Sequence, residues 1–232
     1  MFDILYTHPD FLIINKHFGV SVHKDDDDVS LPIEVAKVSG DEQLYLVHRL
    51  DKMTSGMLIL ARHAKAANKL SSLFAKREIE KFYLAIGAKK PKKKQGTIVG
   101  DMERSRRSSW KLMGSKTNPA ITQFFSSAGE VGERLFLCKP HTGKTHQIRV
   151  ALKSVGSPIV GDDIYHPSSV SDRGYLHAYA LRFTYDGHLF EFLCNPAEHA
   201  HCGEKWQSPV IKEALEAWTT PWNLIWPTVK TK

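Results

Sequence analysis

The chain has three cysteines in 232 residues, Cys138, Cys194 and Cys202, with no Cys-x-x-Cys pair. That is too few, and too irregular, for a disulfide framework. Cys194-Asn-Pro-Ala-Glu-His199-Ala-His201-Cys202 gathers four potential zinc ligands. One hairpin end would struggle to arrange them tetrahedrally, so no metal is expected. No apolar run approaches the ~20 residues of a membrane span. The opening Met-Phe-Asp-Ile-Leu-Tyr lacks the basic-then-apolar pattern of a secretory signal, which makes the cytoplasm the expected location. Gly100-Asp-Met and Gly114-Ser-Lys-Thr117 carry only fragments of a phosphate loop, so no nucleotide cofactor is implied. No internal repeat or regular βαβ alternation is present.

What is there describes a globular protein able to bury a substantial core, as one domain or one tightly joined pair of subdomains. Hydrophobic residues make up 42% and charged residues 25%, and the formal net charge is +7. That charge is concentrated. Between Lys76 and Lys116 stand thirteen Lys/Arg against four Asp/Glu, an excess of nine that exceeds the total for the chain. Lys92, Lys93 and Lys94, with Arg104, Arg106 and Arg107, are candidate phosphate contacts for a nucleic acid. The acidic run Asp25–Asp28 reads as a solvated loop, because adjacent carboxylates rarely converge on a cation.

Strands are expected at Ile4–Tyr6, Phe11–Ile14, 44–47 and 57–60, with Val20–Val22 resuming extended structure after a turn at Gly19. From His63 to Ala75 the period changes, and Ala66, Ala67, Leu70, Leu73 and Phe74 form one helical face. Alternation returns over Ile79–Ile86, with Phe82, Leu84 and Ile86 on one side and Lys81, Tyr83 and Ala85 on the other. The Pro- and Lys-rich segment from Lys89 reads as an exposed connection. Hairpins are expected for 120–125 with 134–139, and for 175–185 with 189–193 around Asp186-Gly187. Thr145–Val155 fits a helix with Gln147 and Lys153 off its apolar face, and Ser208-Pro209 starts another that runs to about Trp218. The fold class is therefore α+β, a mixed, predominantly antiparallel sheet with flanking helices.

The most informative string is His48-Arg49-Leu50-Asp51, between the apolar runs 44–47 and 57–60. A carboxylate in a turn between buried strands is rigidly presented. By itself this pattern better describes an aspartate capping backbone amides. The flanking motifs decide. His48-Arg-Leu-Asp-Lys-Met-Thr-Ser-Gly56, Lys81-Phe-Tyr83-Leu-Ala85, Thr142-Gly-Lys-Thr-His-Gln-Ile-Arg149 with Gly156-Ser-Pro-Ile-Val-Gly-Asp162, and Leu176-His-Ala178 occur in that order. Together they resemble the RluA-type pseudouridine synthases, over about residues 1–195.

The resemblance implies an isomerase that converts uridine to pseudouridine in structured RNA, tRNA or rRNA, without metal or cofactor. It implies that Asp51 is the catalytic aspartate, that Arg149 pairs with it, and that Tyr83 lies beside the uracil. It assigns Arg49 to base extrusion, with His48, Thr54, His146 and Gln147 as supporting RNA contacts and Lys81 among the basic candidates. Two departures stand out: Val150-Ala151 where the family often has Val-His, and Gly161-Asp-Asp-Ile-Tyr-His166 where a glycine usually closes the element. The similarity begins almost at Met1, so docking is expected to use the core surface, without the small amino-terminal RNA-binding module of some relatives. A single catalytic domain, monomeric, with a short tail holding Trp218, Trp222 and Trp226, is the expected organisation. The rival classes are a noncatalytic RNA-binding protein on the same fold and a nucleoside glycosidase. The latter needs a second, suitably spaced carboxylate, and none is evident beside Asp51.

Overall fold

A computed structural model of the chain describes residues 1–22, 30–106, 108–199 and 201–229. The acidic run Asp25–Asp28 and Arg107 lie outside the described residues. In chain order the elements begin with β1 (Phe2–Thr7), β2 (Phe11–Lys16), α1 (Leu31–Ser39), β3 (Tyr45–Leu46), β4 (Ser55–Ala61) and α2 (Ala64–Ala75). They continue with β5 (Glu80–Gly87), β6 (Gln95–Gly100), β7 (Met102–Arg104), β8 (Trp110–Leu112), β9 (Ala120–Ala128) and β10 (Arg134–Pro140). Then come α3 (Gln147–Ser154), β11 (Leu176–Tyr185), β12 (His188–Leu193) and α4 (Pro209–Glu216). The chain divides into two compact units, Met1–Ile79 with His177–Cys202, and Glu80–Leu176 with Gly203–Lys232.

In the first unit β1, β2 and β4 are antiparallel neighbours, and the short β3 pairs with the far end of β4. β2 and β4 are buried at every position, which is why both read as continuous apolar runs instead of alternating ones. β11 meets β4 in parallel, with His177 opposite Ser55 and Ala178 opposite Gly56. It then runs antiparallel to β12 through a two-residue turn whose Asp186 and Gly187 both have positive φ, 50° and 77°. Such a turn matches the twist of its flanking strands. Tyr6, Phe11, Phe183, Phe190 and Phe192 fill the space between these strands, with Tyr6 and Phe192 ring centres 5.0 Å apart.

The parallel contact explains two of the sequence motifs. A Cβ on Gly56 would lie 2.3 Å from the Ala178 carbonyl oxygen, and its φ is 105°, so only glycine lets β11 approach β4 here. One residue earlier, the Ser55 hydroxyl lies 2.7 Å from His177 Nδ1, while His177 Nε2 lies 2.9 Å from the Cys194 carbonyl oxygen. A carbonyl can only accept, so His177 Nε2 carries a proton directed at Cys194.

The second unit holds an antiparallel sheet in the order β5-β10-β9-β6, and a separate two-stranded ribbon, β7–β8. Phe82, Leu84 and Ile86 of β5 are fully buried and Tyr83 half-buried, as the alternation expects. The tail packs on this unit: Trp226 sits 4.5 Å from Phe125 and 5.9 Å from Phe82 between ring centres, and its indole N–H donates to the Pro221 carbonyl.

Three expectations need correction. Val20–Val22 is not a strand; the Gly19 amide instead donates to the Lys52 carbonyl, turning the chain back towards the Asp51 loop. The exposed connection from Lys89 is short, and β6, β7 and β8 follow it. By contrast α4 does start at Ser208-Pro209 as expected, with the Ser208 hydroxyl bonded to Glu130. Finally, α3 is buried on nearly every side, Gln147 and Arg149 included. Among the described residues, mostly antiparallel pairing, one parallel contact and four α-helices make the fold α+β.

Candidate active site

Within the first unit the segment from His48 to Ser55 leaves β3 and re-enters the sheet as β4. The Thr54 amide donates to the Asp51 carbonyl at 2.9 Å, closing a turn that fixes the backbone at Asp51. Asp51 is half-buried, Leu50 and Thr54 are buried, and Arg49 is exposed. His48 does not face outward. Its Nε2 accepts from the Ile59 amide at 2.8 Å and its ring stacks on Phe74 at 4.3 Å, so it fastens the loop to β4 and α2. Thr54 is only 3% exposed and belongs to the support of the turn.

Lys16 was not among the sequence candidates. It ends β2 and is completely buried, with its ammonium donating to the carbonyls of His17 (3.0 Å), Val20 (2.8 Å) and Lys52 (3.4 Å). A buried ammonium is tolerated only with such partners. Here it ties the 17–20 segment to the residue directly after Asp51. Lys16→Met keeps the apolar stem and removes the donors. The expected cost is about 2 kcal/mol, read as a fall in Tm of roughly 4–8 °C.

In the second unit, Lys81 and Tyr83 lie on the less buried side of β5, with Tyr83 opposite Cys138 of β10. Gln147, expected to face RNA, is 5% exposed and its amide is used in full. Oε1 accepts from the Thr142 hydroxyl (2.6 Å) and the Lys144 amide (3.0 Å). Nε2 donates to the Ile121 carbonyl (3.0 Å) and the Thr122 hydroxyl (2.9 Å). Gln147 therefore holds the 142–144 loop against β9, and the expected RNA contact is replaced by a structural one.

Arg149 is buried, and its Nε–Nη2 edge is taken by Asp162, with Nε to Oδ2 at 2.7 Å and Nη2 to Oδ1 at 2.8 Å. Asp163 adds a longer contact at 3.3 Å. Asp162 is itself wholly buried and also accepts from the amides of Ile164 (3.0 Å) and Tyr165 (2.9 Å). The carboxylate thus has four donors, and the guanidinium cannot rotate without losing two of them. Sequence reasoning expected a bidentate pair between Arg149 and Asp51; the fork on this edge goes to Asp162. The signal for Asp162 was its place at the end of Gly156-Ser-Pro-Ile-Val-Gly-Asp162, a motif that gave it no role of its own.

Lys92, Lys93, Lys94, Arg104 and Arg106 are exposed. His146 has φ 58° before α3, and its Nδ1 lies 2.9 Å from the Tyr165 hydroxyl. Cys194 Sγ lies 3.4 Å from His199 Nε2, but among the described residues no three His, Cys, Asp or Glu side chains converge as metal ligands. Among the described residues, too, no helix is long and apolar enough to cross a membrane.

Residues 10–154 match the family model described as RNA pseudouridylate synthase. An uncharacterized RNA pseudouridine synthase of Haemophilus influenzae is 48% identical over 219 residues, 94% of this chain and 96% of that one. A ribosomal large subunit pseudouridine synthase C of Rickettsia bellii is 34% identical over 70% of this chain and 56% of its own length. Among solved structures, human RNA pseudouridylate synthase domain containing 1 superposes with a TM-score of 0.74, at 26% identity, over 95% of this chain and 96% of that one.

Proposed function

Because the chain belongs to the RNA pseudouridylate synthase family, we propose that Asp51 is its catalytic carboxylate and that its substrate is a uridine in a stem-loop of tRNA or rRNA. The observation that carries this reading is the Asp51 turn. Its backbone is closed by Thr54, while the neighbouring Lys52 carbonyl accepts from both Gly19 and the buried Lys16. A reactive group held by backbone bonds and a buried cation meets its substrate with little reorganisation.

The reaction breaks the N1–C1′ bond, turns the uracil and forms C5–C1′; C5 loses a proton and N1 gains one, with no net redox change. Ionised Asp51 serves either route, by adding to C1′ or by removing the C2′ proton to give a glycal. Tyr83 is proposed to lie against the uracil face and to relay the departing proton. Arg149, immobilised by Asp162, is proposed to stabilise the charge of the reacting carboxylate. Exposed Arg49 is proposed to occupy the place of the extruded uridine, offsetting the unstacking cost. Lys81, His146, Lys92, Lys93, Lys94, Arg104 and Arg106 are proposed to contact phosphates or sugars. The protein acts as a monomer in the cytoplasm on this reading.

The test is to incubate the protein separately with unmodified tRNA and unmodified large-subunit rRNA, then digest each to nucleosides. Pseudouridine is expected in one of the two. Tight binding to both RNAs with pseudouridine in neither would overturn the reading in favour of a noncatalytic RNA binder.

A further inference from the structure

Resting on the proposed RNA reading, we infer that Tyr165 is a positioning residue whose hydroxyl latches the basic β7–β8 ribbon to the start of α3, where Arg149 is held. The ribbon carries exposed Arg104 and Arg106, while its Lys111 faces Glu103 at 3.6 Å. Its strands are three residues each, with Met102, Glu103 and Arg104 opposite Leu112, Lys111 and Trp110. An isolated two-stranded ribbon is marginal in water. Something must hold it if its arginines are to meet RNA in a fixed place.

The Trp110 backbone amide donates to the Tyr165 hydroxyl at 2.9 Å. The same oxygen lies 2.9 Å from His146 Nδ1, so one hydroxyl bonds both the ribbon and the residue before α3. His146 stands in left-handed backbone geometry directly before α3, a conformation that persists in a non-glycine residue only when its surroundings fix it. Tyr165 is 4% exposed. The Arg149 guanidinium carbon lies 5.1 Å from its ring centre and the Lys153 ammonium 5.6 Å. The Tyr165 amide bonds Asp162, which also grips Arg149. One side chain therefore touches the ribbon through its hydroxyl and the arginine site through its ring and backbone.

Tyr165→Phe separates these functions, because it keeps the ring and backbone and deletes only the latch. With the ribbon released, KM for RNA is expected to rise roughly five- to tenfold while kcat stays within about twofold. The slope of log affinity against log salt should shrink by about 1 to 2, the equivalent of two lost phosphate contacts. Arg104→Ala/Arg106→Ala should reproduce both changes, and adding Tyr165→Phe to it should change nothing more. Trp110→Pro removes the donor of the same bond, where Tyr165→Phe removes its acceptor, and should match Tyr165→Phe, which guards against a folding defect particular to one variant. An unchanged KM and salt slope in Tyr165→Phe, or effects that multiply with those of the arginine pair, would overturn the latch. Those results leave wild-type turnover intact, whereas failure of the enzymatic reading would show as wild-type protein without turnover.

Discussion

Asp51→Asn is expected to lower turnover by at least about 10⁴-fold, the scale on which losing a reacting carboxylate or nucleophile acts. RNA affinity should stay within about threefold. The substitution is nearly isosteric, and the Thr54 bond that closes the turn goes to the Asp51 backbone, so the loop keeps its shape. Asparagine cannot carry the negative charge that addition to C1′ or proton removal at C2′ requires. The two quantities must be measured together, turnover by pseudouridine formed and affinity by direct RNA binding. A parallel fall in both would mean that Asp51 holds the loop or the RNA, and has no part in the chemistry.

Asp162→Asn has the second largest expected effect, and acts on both stability and rate. The wild-type carboxylate accepts two bonds from Arg149 and two from backbone amides, with no access to water. An asparagine turns one of its two acceptors into a donor facing donors, and removes the charge of the carboxylate that grips Nε and Nη2 of the buried guanidinium. Removing one partner of a buried ion pair costs about 3–5 kcal/mol. The Tm should fall by roughly 6–20 °C. Below that temperature the surviving folded enzyme should turn over about 10²-fold more slowly, the cost of a group displaced by an ångström or so. Thermal unfolding and kcat at a temperature well below the new Tm check the two parts independently. A stable Asp162→Asn protein with normal kcat would show that Arg149 does not need this anchor.

What could be read from the sequence follows the range of the interactions involved. The helix face of Ala66 and Leu70, the alternation of Phe82, Leu84 and Ile86, and the Asp186-Gly187 hairpin rest on residues within one turn or strand of one another. All three appear in the structure as the periodicity expects. Gln147 was misplaced and Lys16 passed over because polar side chains signal exposure unless their partners are known. The partners of Gln147 include Ile121 and Thr122 on β9, and those of Lys16 include Lys52 at the far side of the loop. The ribbon was lost because strands of three residues carry too little pattern to stand out from a basic loop. Asp51 was never legible from spacing alone. It was singled out because ordered motifs resembled a family, and two of them, Ser55-Gly56 and His177-Ala178, prove to be the opposite sides of one parallel strand contact.

The central claim is that this chain breaks and remakes the glycosidic bond of an RNA uridine without releasing the base. It is tested most directly with unmodified RNA carrying tritium at uridine C5. The account predicts that wild-type protein releases tritium in amounts equal to the pseudouridine formed, with no free uracil. Tritium retained in an RNA that the protein binds tightly, or uracil appearing in solution, would contradict it.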